Sequence, residues 1–234
     1  MSLQAPTTKT PVQSGTFTGY VKYTFFKLDS EWRRLEDSAR QVTMHDFLTN
    51  LEKRGKELSL RTYSLVGTRA DADFMLWTIT HTLEKLQELE SRLLHTALGK
   101  FLSKPHSYLA MFRPSEYFGK SREAAPVDAK YLFVYPLTKK REWYSVPFEE
   151  RRRIMKDHVQ VGHKYPSVTI HTAYSFGLDD YEFTLSFETD YPQDFLNLVM
   201  ELRGTEASKY TLVETPIFTC ISTSPEKMLD LLGP

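Results

Sequence analysis

Residues 63–74 read Y-S-L-V-G-T-R-A-D-A-D-F, and residues 174–183 read Y-S-F-G-L-D-D-Y-E-F. Each opens on Tyr-Ser and turns through a glycine, Gly67 or Gly177. Each then passes aspartate (Asp71, or Asp179 and Asp180) and enters an aromatic segment containing Phe74 or Phe183. Strand, glycine turn and second strand make a hairpin. Two such hairpins in one chain, each running into a leucine-rich segment, argue for an internal repeat.

The flanking residues extend the repeat. Phe17 to Leu28, with Tyr20, Tyr23, Phe25 and Phe26, predicts a strand. Asp29-Ser30 then predicts a helix start, and the helix runs to about Arg54 before Gly55, with Trp32, Leu35, Val42, Phe47 and Leu51 on its apolar side. Strands at Leu58–Val66 and Phe74–Thr80 follow. Thr82 opens a second helix in which Leu83, Leu86, Leu89, Leu93 and Ala97 recur at helical spacing, and Tyr108–Phe112 closes the unit. The same order returns as a strand at Tyr131–Tyr135, a helix at Pro147–Lys164, strands at Val168–Tyr174 and Tyr181–Phe187, a helix at Pro192–Arg203 and a strand at Ile217–Ser222. Two βαββαβ units predict an α+β fold of two ferredoxin-like halves. The expected layout is a leader over 1–15, a first half over 16–113, a Pro- and Gly-containing linker over 114–128 and a second half over 129–234. Each sheet then has one helix-covered face. Its other face must be covered by the second sheet or by a ligand.

Composition narrows the function classes. The chain has 234 residues, with 30 basic and 30 acidic side chains. A zero net charge lacks the basic surplus of nonspecific nucleic-acid binding. The single cysteine, Cys220, excludes a disulfide framework and a cysteine-rich zinc site. No apolar run approaches the roughly 18 residues of a membrane span, and the leader has no signal-peptide stretch. A cytoplasmic protein is expected.

His158 is the most informative single residue. Ile154, Met155 and Val161 lie three or four positions from it, so it falls on or beside the apolar stripe of its helix. The ordinary reading is a core histidine with one hydrogen bond. The other is an axial ligand, since an imidazole projecting from a helix into an apolar pocket suits a haem iron. The residues alone leave both open. His-Glu zinc motifs, glycine-rich phosphate loops and the G-x-S-x-G elbow are absent. In the run V-Y-P-L-T-K-K-R-E-W-Y, residues 134–144, basic groups could neutralise propionates or phosphates, or could simply be solvated.

That run, E-E-R-R-R-I-M-K-D-H (149–158), G-L-D-D-Y-E-F (177–183) and E-L-R-G-T-E-A-S-K-Y (201–210) resemble the chlorite dismutase-like haem protein family. The first half resembles it in pattern, notably Y-S-L-V-G-T-R-A-D-A-D-F-M. The resemblance implies a dimeric α+β barrel of ferredoxin-like halves, commonly a homopentamer, with haem bound by the C-terminal half. It is nearest to the coproheme decarboxylase branch of actinobacterial type, whose substrate is iron coproporphyrin III, whose oxidant is hydrogen peroxide and whose product is haem b. The substrate is its own redox cofactor. Under this resemblance His158 is the axial iron ligand and Tyr135 the radical-bearing residue beside the reactive propionate. Lys139 assists there, Arg141 helps orient carboxylates, and Trp143 lies near the porphyrin edge.

The departures from the family pattern concern the branch. Ile170 stands where chlorite dismutases carry a distal arginine, and an aliphatic group cannot hold a hypochlorite leaving group. The carboxylate that pairs with the axial histidine in those enzymes falls at Ala207, or one residue earlier at Glu206. The distal histidine supplied by the linker in many actinobacterial-type enzymes is absent, and Arg122 falls near its position. The alternatives are a chlorite dismutase or peroxidase-like haem enzyme, and a non-catalytic haem-binding protein.

Overall fold

The computed structural model describes residues 19–53, 58–119 and 126–233. β1, Gly19–Leu28, is buried on both faces. Val21, Tyr23 and Phe25 point one way, while Phe26 and Leu28 pack on the other side. A strand buried on both faces needs this near-continuous apolar run.

β1 pairs antiparallel with β3 (Phe74–Thr80) and with β4 (Leu102–Phe112), and β3 pairs with β2 (Leu58–Ser64). In the second half β5 (Tyr131–Lys139) pairs with β7 (Phe183–Thr189), and β7 with β6 (Thr169–Tyr174). β5 also takes the short β8 (Thr211–Val213) and β9 (Phe218–Ser222). Leaving β8 aside, both halves have the ferredoxin-like spatial order fourth, first, third, second. They join twice, β2 to β9 and β4 to β6, so the sheet closes into a barrel. The expected duplicated α+β architecture is present, and closure removes the exposed strand edges.

The barrel interior is filled. Phe25 stacks on Phe218 at 3.9 Å, and Tyr23 on Trp77 at 5.5 Å. The Tyr23 hydroxyl meets Ser186 Oγ at 2.7 Å, and His171 Nε2 meets Glu188 Oε2 at 2.7 Å. A ligand as large as a porphyrin therefore belongs outside, between a sheet and its helices. On the first half that space is closed by α1 (Asp37–Glu52), α2 (Leu83–Leu94) and the C-terminal α6 (Pro225–Asp230), around Trp32, Phe47, Phe74, Met228 and Leu229. On the second half it is covered by α4 (Phe148–His163) and α5 (Pro192–Arg203), with the short α3 (Glu142–Ser145) at the edge.

Several expected boundaries are corrected. The helix expected from Asp29 is a 3-10 turn, Ser30–Arg34, capped by Asp29 Oδ1, which accepts from Glu31 N. Extended backbone at Leu35 and Glu36 breaks it before α1. The break resets the helical phase, so Thr43, Phe47 and Leu51 are buried while Val42 is 67% exposed. The expected end at Arg54, the strand start at Phe17, the leader 1–15 and Arg122 lie outside the described residues. β4 begins six residues earlier than Tyr108 because its first half is mostly exposed and carries no apolar pattern. A register shift opposite Phe25 and Lys27 accommodates Pro105 there. The α3 turn, β8 and α6 were not expected, although Ser224 as N-cap followed by Pro225 marks α6.

Phe218, from the second half, packs on Phe25 and Tyr108 of the first. Phe218→Ala should lower unfolding stability by about 3–5 kcal/mol, measured as a shift of the urea transition at unchanged slope. A loss within experimental error would mean that the barrel centre does not join the halves energetically.

Candidate functional site

β5 alternates, so Phe133, Tyr135, Leu137 and Lys139 share the outward face, with the first two in the cluster under α4 and α5. Tyr135 is 6% exposed, and its ring stacks on Phe187 at 5.5 Å. Burial pushes its phenol above the ordinary range, and the charge of Glu214 adds to this against Arg203. The phenol is therefore protonated at neutral pH.

Lys139 follows at the end of β5. Its Nζ donates to the Ala207 carbonyl at 3.3 Å and to Thr211 Oγ1 at 3.4 Å. It also lies 5.4 Å from the Trp143 ring. Among the described residues no carboxylate reaches it within ion-pair distance. Burial lowers its pKa, opposed by the more distant charges of Glu214 and Glu182. Trp143, carried by α3, is 3% exposed against Ile154, Ala207 and Tyr210.

α4 buries Ile154 and Val161, and His158 is half-buried between them on the same side. Its Nδ1 lies 3.3 Å from Thr205 Oγ1. Burial, helped by the charge of Lys139, lowers its pKa from 6.5 to about 4. The imidazole is thus neutral at physiological pH, as metal ligation requires. Ile170 pairs across the sheet with Phe187 and packs with Leu185 in the same apolar cluster. A Cβ at Gly162, one turn beyond His158, would meet Ile170 Cδ1 at 3.3 Å, so the glycine permits the close approach of α4 to β6.

Five of the residues singled out in the sequence therefore lie on adjoining elements of the second half, among its sheet and covering helices: Tyr135, Lys139, Trp143, His158 and Ile170. Arg141 is exposed at the start of α3. Arg122 is outside the described residues. Neither position considered for a carboxylate beside His158, Glu206 or Ala207, supplies one. Ala207 is buried with its carbonyl turned to Lys139, and Glu206 pairs outward with Arg153 at 2.8 Å. The partner is Thr205, which sequence reasoning missed because a hydroxyl beside a glutamate gives no distinguishing signal.

The donor set fits an iron porphyrin. A neutral imidazole with one ring nitrogen free of protein partners among the described residues can bind iron, the aromatic and aliphatic wall can take a macrocycle face, and a half-buried ammonium without a carboxylate among the described residues can take a propionate. No group of three or more His, Cys, Asp or Glu poised for a metal ion occurs among the described residues. No helix among them is long and apolar enough to cross a membrane.

The lowered pKa of His158 sets a pH dependence. In the unfolded chain the ring binds a proton below about 6.5, and in the fold only near 4. Falling pH through that window therefore favours unfolding, and rising pH restores stability. In the porphyrin-free protein, NMR should show the His158 ring titrating near pH 4. A midpoint near 6.5 would contradict the burial described above.

The chain is similar to known proteins in sequence and in fold. The chlorite dismutase family model matches residues 39–223. The coproheme decarboxylase of Mycolicibacterium smegmatis is 38% identical over 172 residues, covering 71% of this chain and 74% of that protein. Among solved structures, a chlorite dismutase variant from Candidatus Nitrospira defluvii has a TM-score of 0.86 at 24% identity, covering 92% of this chain and 94% of that one. A haem-binding protein from Thermus thermophilus has a TM-score of 0.79 at 24% identity, covering 89% and 92%. At such identity these two structures speak to the fold alone. With more than half its length matched and a relative of this identity, the chain belongs to the chlorite dismutase-like family.

Proposed function

We propose that this protein removes carboxyl groups from iron coproporphyrin III with hydrogen peroxide, forming haem b. The observation that carries the reading is Tyr135, a buried protonated phenol on the same strand face as the half-buried ammonium of Lys139, which has no carboxylate partner among the described residues. The named relative supports the same activity. Ile170 supports it over the dismutase reading, because an aliphatic side chain offers no charge to a departing hypochlorite.

In this reading His158 holds the substrate iron through Nε2. The bound iron, together with peroxide, supplies the two oxidising equivalents that each carboxyl removal needs. Lys139 receives a propionate carboxylate and holds it beside Tyr135. Arg141 meets a second carboxylate from the exposed start of α3, and Trp143 borders the macrocycle edge. Burial keeps the Tyr135 proton in place, so the phenol gives up its electron and proton together. The resulting phenoxyl takes a hydrogen atom from a propionate β-carbon and becomes a phenol again. Loss of a second electron and cleavage of the bond to the carboxyl carbon release carbon dioxide and leave a vinyl group. For each propionate carboxylate, one hydrogen peroxide and one proton become two waters. A homopentamer in the cytoplasm completes the proposal, and sedimentation measures the assembly.

Purified protein given iron coproporphyrin and peroxide should yield vinyl-bearing product by mass spectrometry. Tyr135→Phe should take up the porphyrin normally and yield none, and full turnover in that variant would remove the radical step. Lys139→Met should weaken porphyrin uptake about 10–100-fold, as expected for a lost charged hydrogen bond of about 1.5–3 kcal/mol. Oxygen release from chlorite over many turnovers would instead favour the dismutase. Uptake by the wild type without decarboxylation would favour a binding protein.

A further inference from the structure

Thr205 follows Gly204, just past the end of α5. Its backbone N–H donates to the Leu202 carbonyl at 3.0 Å, and its Oγ1 donates to the same carbonyl at 2.7 Å. Its own carbonyl accepts from the Ser208 N–H at 3.2 Å, and Ser208 Oγ lies within hydrogen-bond reach of both this carbonyl, at 2.8 Å, and that of Arg203, at 2.7 Å. The residue is held from both sides, and its side chain has little freedom to turn.

A hydroxyl has one hydrogen and two lone pairs, and a carbonyl can only accept. The hydroxyl hydrogen of Thr205 is therefore committed to Leu202. Toward His158 it presents a lone pair, so the contact at 3.3 Å requires Nδ1 to carry the imidazole hydrogen. Nε2 is then left with its lone pair and has no protein partner among the described residues.

We propose that Thr205 is the positioning residue that sets the tautomer and ring orientation of His158, presenting Nε2 for iron. The inference deepens the proposed function and rests on His158 as the axial ligand. It also defines the kind of bond. A neutral oxygen already donating elsewhere is a weaker acceptor than a carboxylate, so it draws less on the Nδ1 hydrogen and leaves the imidazole a weaker donor to iron. Replacing Thr205 by a carboxylate residue strengthens that donation.

The test has a porphyrin-free arm and a loaded arm. In the first, nitrogen NMR of the histidine rings reads which nitrogen of His158 carries hydrogen. The wild type and Thr205→Ser should carry it on Nδ1, and Thr205→Val should show a mixture with Nε2. In the second, the proteins are loaded with iron coproporphyrin without peroxide. Thr205→Val should bind about tenfold more weakly and show a lowered iron–histidine stretch in the ferrous form. Thr205→Asp should raise that stretch and lower the reduction potential. Hydrogen on Nε2 in the wild type, or Thr205→Val with the wild-type tautomer and stretch, would overturn the proposal. If Thr205→Val does not fold, the wild type and Thr205→Ser still decide it, because both must hold hydrogen on Nδ1. A wild type that binds the porphyrin and never decarboxylates it would overturn the activity proposed above, leaving the tautomer measurement to judge this inference separately.

Discussion

The packing of Phe25 against Phe218 at the barrel centre is the constraint from which the rest follows. It ties a strand of the first half to a strand of the second, and it fills space that an open barrel offers to a ligand. With the middle closed, a large guest has to sit between a sheet and its helices. The two halves treat that outer space differently. In the first, α6 folds back and completes an aromatic cluster around Trp32, Phe47 and Phe74. In the second, the covering helix α4 carries a histidine facing a partly buried wall of aromatic and aliphatic side chains.

Electrostatics then single out one part of that wall. Lys139 is half-buried against a carbonyl, a hydroxyl and an indole, none of which neutralises its charge. Burial of an ammonium in such surroundings is unfavourable. An incoming carboxylate would relieve it, and the same charge helps keep His158 unprotonated and ready to bind metal. Under the proposed function, this one cation would bear on both the iron ligand and the propionate.

The repeated hairpins were readable in the sequence because glycine turns and aromatic strands act locally. The paired strands from Phe74 and Phe183 and the helices from Leu83 and Pro192 follow that reading closely. His158, Tyr135, Lys139 and Trp143 were singled out through family resemblance, since spacing alone left His158 between a core residue and a ligand. Val42 misled because its helical phase depends on where the chain breaks before Asp37. The partner of His158 was hidden for a different reason. Thr205 and His158 are 47 residues apart in sequence, and only the docking of α5 beside α4 brings a hydroxyl, not a carboxylate, to the ring.

Gly162 contributes through the methyl group it lacks. Ile170 rests almost on the helix backbone there, so the spacing of α4 and β6 near His158 depends on a single hydrogen atom. The gauge of this slot is adjustable at one position, without touching any group that would contact a guest's carboxylates or its metal. Diversification in how deeply a flat guest seats could proceed there while the machinery around Tyr135 stays intact.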